Sequence, residues 1–119
     1  TYFNMKWKAA EFTVESTEEF EEMVMSKDFR IASAIVDGIF ANLKTKKKNI
    51  HLLSVIVESE NSVFDITIDK KHFAETLEEN LPHYVREERY EDCQRIADTI
   101  NKLKISPITD ILGQISSKK

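Results

Sequence analysis

The side chains best suited to metal or nucleophilic chemistry in this chain of 119 residues are three histidines and one cysteine. His51, His72 and His83 share no spacing with one another or with Cys93 that would bring together the three or four ligands a zinc ion needs. Cys93 falls on the apolar stripe of a predicted helix, where a thiol is an inert core group rather than a nucleophile. We therefore expect no metal site and no cofactor.

Acidic side chains follow one predicted strand at every second position. Asp65, Thr67 and Asp69 share one face of that strand, and the two carboxylates could hold a cation. Hard cations usually take six or more oxygen ligands, so a solvated strand face is the better interpretation. The sequence contains no glycine-rich phosphate loop, no nucleophile elbow and no zinc-binding helix motif. These absences predict a protein without catalysis.

Four lysines crowd into five positions, at Lys44, Lys46, Lys47 and Lys48, with His51 close by. Such a cluster could contact nucleic-acid phosphates, but it has no interleaved aromatic residue or arginine to stack on a base or to read its edge. Solvation together with pairing with the negative end of a preceding helix is the better interpretation of the lysines. Nucleic-acid binding through them is therefore the alternative function, and the net charge of −4 argues against it.

The C-terminal stretch carries an apolar face. Ser106-Pro107 is a helix-start signal, and four apolar residues follow at i, i+3, i+4 and i+7, namely Ile108, Ile111, Leu112 and Ile115. This face either completes the core of its own domain or lies in a groove of another protein. In the second case these four residues are the partner-binding site.

A β-hairpin at 50–57 and 62–69 is predicted at the centre of the fold. Phe64, Ile66 and Ile68 alternate with the acidic face and should point to the core. Residues 50–57 do not alternate, which indicates a central strand covered on both sides. Asn61 is the residue of the intervening turn best able to adopt a left-handed backbone.

Helices with four-residue apolar spacing surround this hairpin. They are predicted over about 17–26, 29–45, 70–87 and 89–103, with caps at Ser16, Asp28 and Asp69, and a third, edge strand is predicted near 5–14. Gly38 within the second helix requires a close crossing, and Pro82 kinks the third. The fold class is α+β, a small antiparallel sheet covered by helices, with one domain over 1–104 and a segment or tail over 105–119.

Residues 88–103 (ERYEDCQRIADTINKL) resemble the second half of a UVR motif. That motif is a helical hairpin of nucleotide-excision-repair proteins and some chaperone adaptors, and the resemblance implies a hairpin over 70–103 that contacts other proteins. The chain departs from the motif at Cys93-Gln94, where small residues are usual, and at Ala97, where an arginine is usual. The chain as a whole resembles small accessory proteins of large tailed phages.

The composition is compatible with this class of protein. A single cysteine indicates a reducing compartment, and no apolar run approaches the roughly 18 residues that a membrane span needs. We expect a small cytoplasmic accessory protein without catalysis. It would contact a protein partner, or a second copy of itself in a homodimer, through the hairpin 70–103 and the segment 105–116.

Overall fold

The computed structural model describes the backbone of residues 7–117 and the side chains of residues 7–105. The elements are β1 (Ala10–Val14), α1 (Thr17–Met25), α2 (Phe29–Ala41), β2 (Asn49–Val57), β3 (Ser62–Asp69), α3 (Phe73–Arg86) and α4 (Tyr90–Ser117). The α+β class is thus confirmed. The chain forms two compact units, Thr1–Lys70 and Lys71–Lys119. The division predicted after Lys104 stays a prediction.

The sheet has the order β1-β2-β3, so β2 is central as predicted. β2 and β3 are antiparallel, whereas β1 runs parallel to β2, with Ala10 opposite Leu53 and Val14 opposite Val57. The sheet is therefore mixed and not wholly antiparallel. The reason is the connection from β1 to β2, because α1 and α2 carry the chain back to the end of the sheet from which it started, as parallel pairing requires.

A β-bulge interrupts β2 between His51 and Leu53. Two residues of β2 advance there for one residue of β3, so side chains beyond the bulge change face relative to those before it. Leu52 and Leu53 consequently both pack toward α2, and both are buried. The bulge, rather than coverage on both faces, explains why the apolar residues of this strand fail to alternate.

β3 is less buried than its alternating pattern predicts. Ile66 packs against the core cluster and Ile68 is half-buried, but the side chain of Phe64 is 48% exposed. The prediction that Phe64 faces the core is wrong, because β3 is an edge strand and Phe64 lies near its first residue, Ser62. The turn before it is as predicted, with Asn61 in the left-handed region at φ 52°.

Helices α1 and α2 cover one face of the sheet. The Ser16 hydroxyl accepts the Glu19 amide at 3.2 Å, which confirms Ser16 as the cap, but the Glu19 carboxylate accepts the amide of Glu15, one residue before the cap, at 2.6 Å, and so the reciprocal bond of a capping box is displaced by one residue. Asp28 accepts the Arg30 amide at 2.9 Å and caps α2. The core cluster consists of Val14, Leu53, Val55 and Val57, with half-buried side chains from both helices against it, among them Phe20, Met23, Ile31 and Ile35.

Gly38 marks the predicted close crossing. A Cβ atom at this position would lie 2.7 Å from Leu52 Cδ2 and 3.2 Å from the Trp7 ring. Leu52 is fully buried, so it has little room to yield. The glycine, although unfavourable in a helix by about 1 kcal/mol relative to alanine, lets α2 lie directly on β2 and on the indole.

In the second unit, α3 and α4 pack against each other as a helical hairpin. The two helices are antiparallel, as predicted. Only residues 87–89 link them, and Lys104 Nζ of α4 pairs with Glu78 Oε2 of α3 at 2.7 Å. α3 runs through Pro82 as one helix, which is also as predicted. It begins at Phe73, after a short turn over Lys70–His72, and His72 rather than Asp69 occupies its N-cap position.

The buried stripe of α3 differs from the four-residue repeat that the sequence predicts, which is Phe73, Leu77, Leu81 and Val85. Phe73, Leu77 and Tyr84 are buried, whereas Val85 is 51% exposed. A helix has 3.6 residues per turn, so a strict spacing of four rotates steadily around its surface. Position 84 returns to the face of Phe73 after eleven residues, but position 85 lies roughly a third of a turn away.

The last helix is longer than predicted. α4 does not end near Leu103 but continues through Ser106-Pro107 to Ser117. The start signal at Ser106-Pro107 therefore does not begin a new helix. Among the described residues, no helix is long and apolar enough to cross a membrane.

The contact at Gly38 makes a testable prediction. Gly38→Ala should lower the free energy of unfolding by about 1 kcal/mol, because overpacking against Leu52 outweighs the gain in helix propensity. In a Leu52→Ala background the same change should instead raise it by up to about 1 kcal/mol. Urea denaturation of the four proteins measures both effects, and equal effects in the two backgrounds would contradict the crossing.

Candidate functional site

The lysine cluster lies in the connection between α2 and β2. α2 ends at Ala41 because Asn42 caps it. The Asn42 amide donates to the Ile39 carbonyl at 3.0 Å, and its side-chain Nδ2 donates to the Gly38 carbonyl at 2.7 Å. The last turn of α2 holds no basic residue, so the expectation that the lysines interact with the end of this helix is wrong. The cluster is exposed at all four positions, Lys44, Lys46, Lys47 and Lys48.

A fifth lysine holds this connection against the sheet. The Lys70 amide donates to the Lys48 carbonyl at 2.9 Å, and Lys70 Nζ donates to the Thr45 carbonyl at 2.6 Å. Lys70 follows β3 directly, so the hairpin clamps the lysine-rich segment at two points. The clamp keeps like charges close together although they repel one another.

Trp7 lies beside these lysines. Its ring packs over Gly38, yet 38% of the residue stays exposed. Together with Asn42, Lys47, Asn49 and His51 it lines a cavity of about 350 Å³ in the first unit. An aromatic ring, a cation and two amides thus meet at one place, although they come from three separate parts of the chain.

His51, Ser54 and Asp65 form a hydrogen-bonded chain next to this cavity. His51 Nε2 lies 3.1 Å from the Leu53 carbonyl, which can only accept, so we assign the ring hydrogen to Nε2. Nε2 also lies 2.8 Å from Ser54 Oγ, which in turn donates to Asp65 Oδ1 at 2.8 Å. The bulge makes this chain, because residues 51 and 54 of a regular strand would point to opposite faces.

These three residue types are those of a serine-hydrolase triad, but their geometry is different. A triad needs the imidazole to accept the serine proton and the carboxylate to bind the opposite ring nitrogen. Here Ser54 gives its hydrogen to Asp65, and Asp65 lies 3.5 Å from the same nitrogen, Nε2. Ser54 is also only 6% exposed. The chain therefore fixes the hairpin and orients His51, and it offers no nucleophile.

The other candidate ligands stay apart. Asp65 accepts a hydrogen bond from Ser54, and Cys93 is half-buried on α4. His72 occupies the N-cap position of α3 without a capping bond from its side chain, and His83 lies half-buried within α3. Within the part of the chain that the structure describes, no three His, Cys, Asp or Glu side chains converge as metal ligands would. A cavity of about 500 Å³ at the turn into α4 is lined by the consecutive residues 88–92, so no separate elements converge there.

The predicted partner-binding residues Ile108, Ile111, Leu112 and Ile115 lie in the second half of α4. Their side chains are outside the described residues. The hairpin that precedes them exposes apolar side chains at Val85, Tyr90 and Ile105.

Neither Trp7 nor Ser54 stands out in the sequence as a site residue. Trp7 lies far from the lysines in the chain, and only the packing of α2 on the sheet brings them together. The signal available was that Trp7 is the sole tryptophan, next to a segment of weak strand pattern. Ser54 gave no signal, because a serine within an apolar strand indicates nothing without knowledge of the bulge.

Comparisons with models of protein families, with curated proteins and with solved structures found no significant match to this chain.

The pairing of Ser54 with Asp65 can be measured by a double-mutant cycle. Ser54→Ala and Asp65→Ala should show a coupling of about 1 kcal/mol in the free energy of unfolding, because each removes the same hydrogen bond to a charged group. Ser54→Ala combined with Thr67→Ala, on the same face, should add to within about 0.5 kcal/mol. Urea denaturation provides the values, and additive effects at Ser54 and Asp65 would refute the assigned chain.

Proposed function

We propose that this protein is a small cytoplasmic accessory protein without catalysis that acts by contacting another protein or a second copy of itself. The contact surface is the α3–α4 hairpin together with the second half of α4. The observation that carries the proposal is the length of α4, which has 28 residues where its partner α3 has 14.

The difference in length leaves an amphipathic stretch beyond the hairpin. At about 1.5 Å per residue, α3 is half as long as α4. Lys104, which pairs with Glu78, is followed by 13 residues of α4, whereas only five residues of α3 precede Glu78, so the last turns of α4 extend past the start of α3. Ile108, Ile111, Leu112 and Ile115 have the spacing with which a helix lies in the groove of a partner.

The exposed apolar side chains of the hairpin support the same function. Tyr90 is 64% exposed and Ile105 57% exposed, and aromatic side chains of this kind are enriched at protein–protein interfaces. The UVR resemblance of residues 88–103 implies the same use of a hairpin, and it remains a prediction, as does the resemblance to phage accessory proteins.

The experiment replaces apolar residues of α4 in the full-length chain. Ile111→Asp combined with Ile115→Asp should weaken self-association, or retention of a specific partner, at least tenfold, since each buried isoleucine contributes roughly 1.5–3 kcal/mol. Light scattering over a range of concentrations measures self-association. Recovery on the immobilised chain from an extract of the source cells measures partner binding.

Gln114→Asp combined with Ser117→Asp is the matched control. At 100° per residue these positions lie outside the apolar stripe, and the pair adds the same two charges to the same helix. The control should behave like the unmodified chain. If the unmodified chain is a monomer at every concentration and retains no protein in a manner that depends on Ile111 and Ile115, the proposal is wrong.

A further inference from the structure

We propose that the cavity beside Trp7 binds a nucleoside phosphate, with the base stacked on the indole and the phosphate held by the lysine cluster. The ligand is either a free nucleotide or one unit of a single-stranded nucleic acid. This inference rests on the first unit alone and is independent of the function proposed for α4.

The aromatic surface is the first argument. A tryptophan offers the largest stacking area of any side chain and is highly buried on average, so a partly exposed indole is a candidate stacking surface. The edge of the Trp7 ring packs over Gly38, and the ring lines the cavity while the residue keeps 38% of its surface exposed. Gly38 is thus the position that admits the indole, because any larger residue there would push it away.

The cations are the second argument. Lys47 lines the cavity itself, and its neighbours in the chain, Lys46 and Lys48, are exposed. The segment 42–48 contains no acidic residue, and the two bonds from Lys70 hold it in place. Two acids lie near this edge, Asp69 opposite Asn49 and Asp65 at 3.5 Å from His51 Nε2, and the five lysines of the segment and its clamp outnumber them.

The polar groups of the wall are the third argument. The Nδ2 atom of Asn42 donates one hydrogen to the Gly38 carbonyl, and the Oδ1 atom of this amide can accept a hydrogen bond from a ligand. Asn49 adds a second amide, and the bond from Nε2 to the Leu53 carbonyl leaves Nδ1 as the ring nitrogen of His51 for a ligand. Amides and a ring nitrogen suit the donor and acceptor edge of a base. A cavity of about 350 Å³ falls in the range of small-molecule sites.

Trp7 is the only tryptophan of the chain, so its fluorescence reports ligand binding at this cavity. Adenosine monophosphate and a short single-stranded oligothymidylate are titrated separately into the full-length protein, and Trp7 fluorescence is recorded. Saturable quenching by the mononucleotide identifies a free-nucleotide site. Saturable quenching by the oligonucleotide alone, weakening as salt is added, identifies a single-strand site. Either result supports the proposal.

Two comparisons separate the parts of the site. Lys47→Glu should weaken binding about tenfold, whereas Lys102→Glu, an equal change of charge at an exposed position of α4, should change it less than twofold. Trp7→Ala should weaken binding of the oligonucleotide or of the nucleotide roughly tenfold, and Trp7→Phe should retain most of the affinity. Calorimetry measures both, since these variants lack the fluorescent indole. Thermal unfolding of each variant verifies that it is folded.

Three outcomes would overturn the proposal. The first is the absence of saturable quenching by either ligand. The second is equal competition by inorganic phosphate, which would mean simple ion attraction to lysines. The third is binding that is unchanged in folded Trp7→Ala, which would remove the stacking contact on which the site depends.

Discussion

An extra residue between His51 and Leu53 governs the arrangement of the first unit. Without the bulge, Leu52 and Leu53 would point to opposite sides of the sheet, and one of them would need a second covering layer. With it, both lie against α2, and the helix approaches so closely that only a glycine fits at position 38. The same displacement brings His51 onto the face of Ser54, where a chain of hydrogen bonds ties β2 to β3. One irregularity thus sets the core on one face and the polar chain on the other.

The polar surface next to Trp7 follows from that packing. α2 ends early because Asn42 turns its side chain back to the helix, and the lysines are thereby placed in a connection instead of on a helix face. Lys70 then fixes the connection from the far end of the hairpin. Positive charge and an exposed indole meet there, while the hairpin of the second unit presents apolar side chains. The two units therefore offer different chemistry, and each proposed contact can be tested without the other.

Local signals were reliable wherever a short stretch of chain decides the outcome. The caps at Ser16 and Asp28 and the left-handed turn at Asn61 need only their immediate neighbours, and the sequence predicted all three. The close crossing at Gly38 was also predictable, because a glycine within a strongly apolar helix needs a reason. Patterns that extend over several turns were less reliable, because a spacing of four rotates around the helix. Val85 was for that reason expected in the core that Tyr84 occupies.

The sequence by itself determined the α+β class, the hairpin, the helices and most of their beginnings, because these depend on propensity, capping and apolar periodicity within a few turns. Tertiary structure alone decided that β1 runs parallel to β2, that β2 contains a bulge, and that α4 continues through Pro107. It also decided that Trp7 lies beside Lys47. Each of these depends on which distant segments share one core, and the burial that selects among them is a property of the assembled chain.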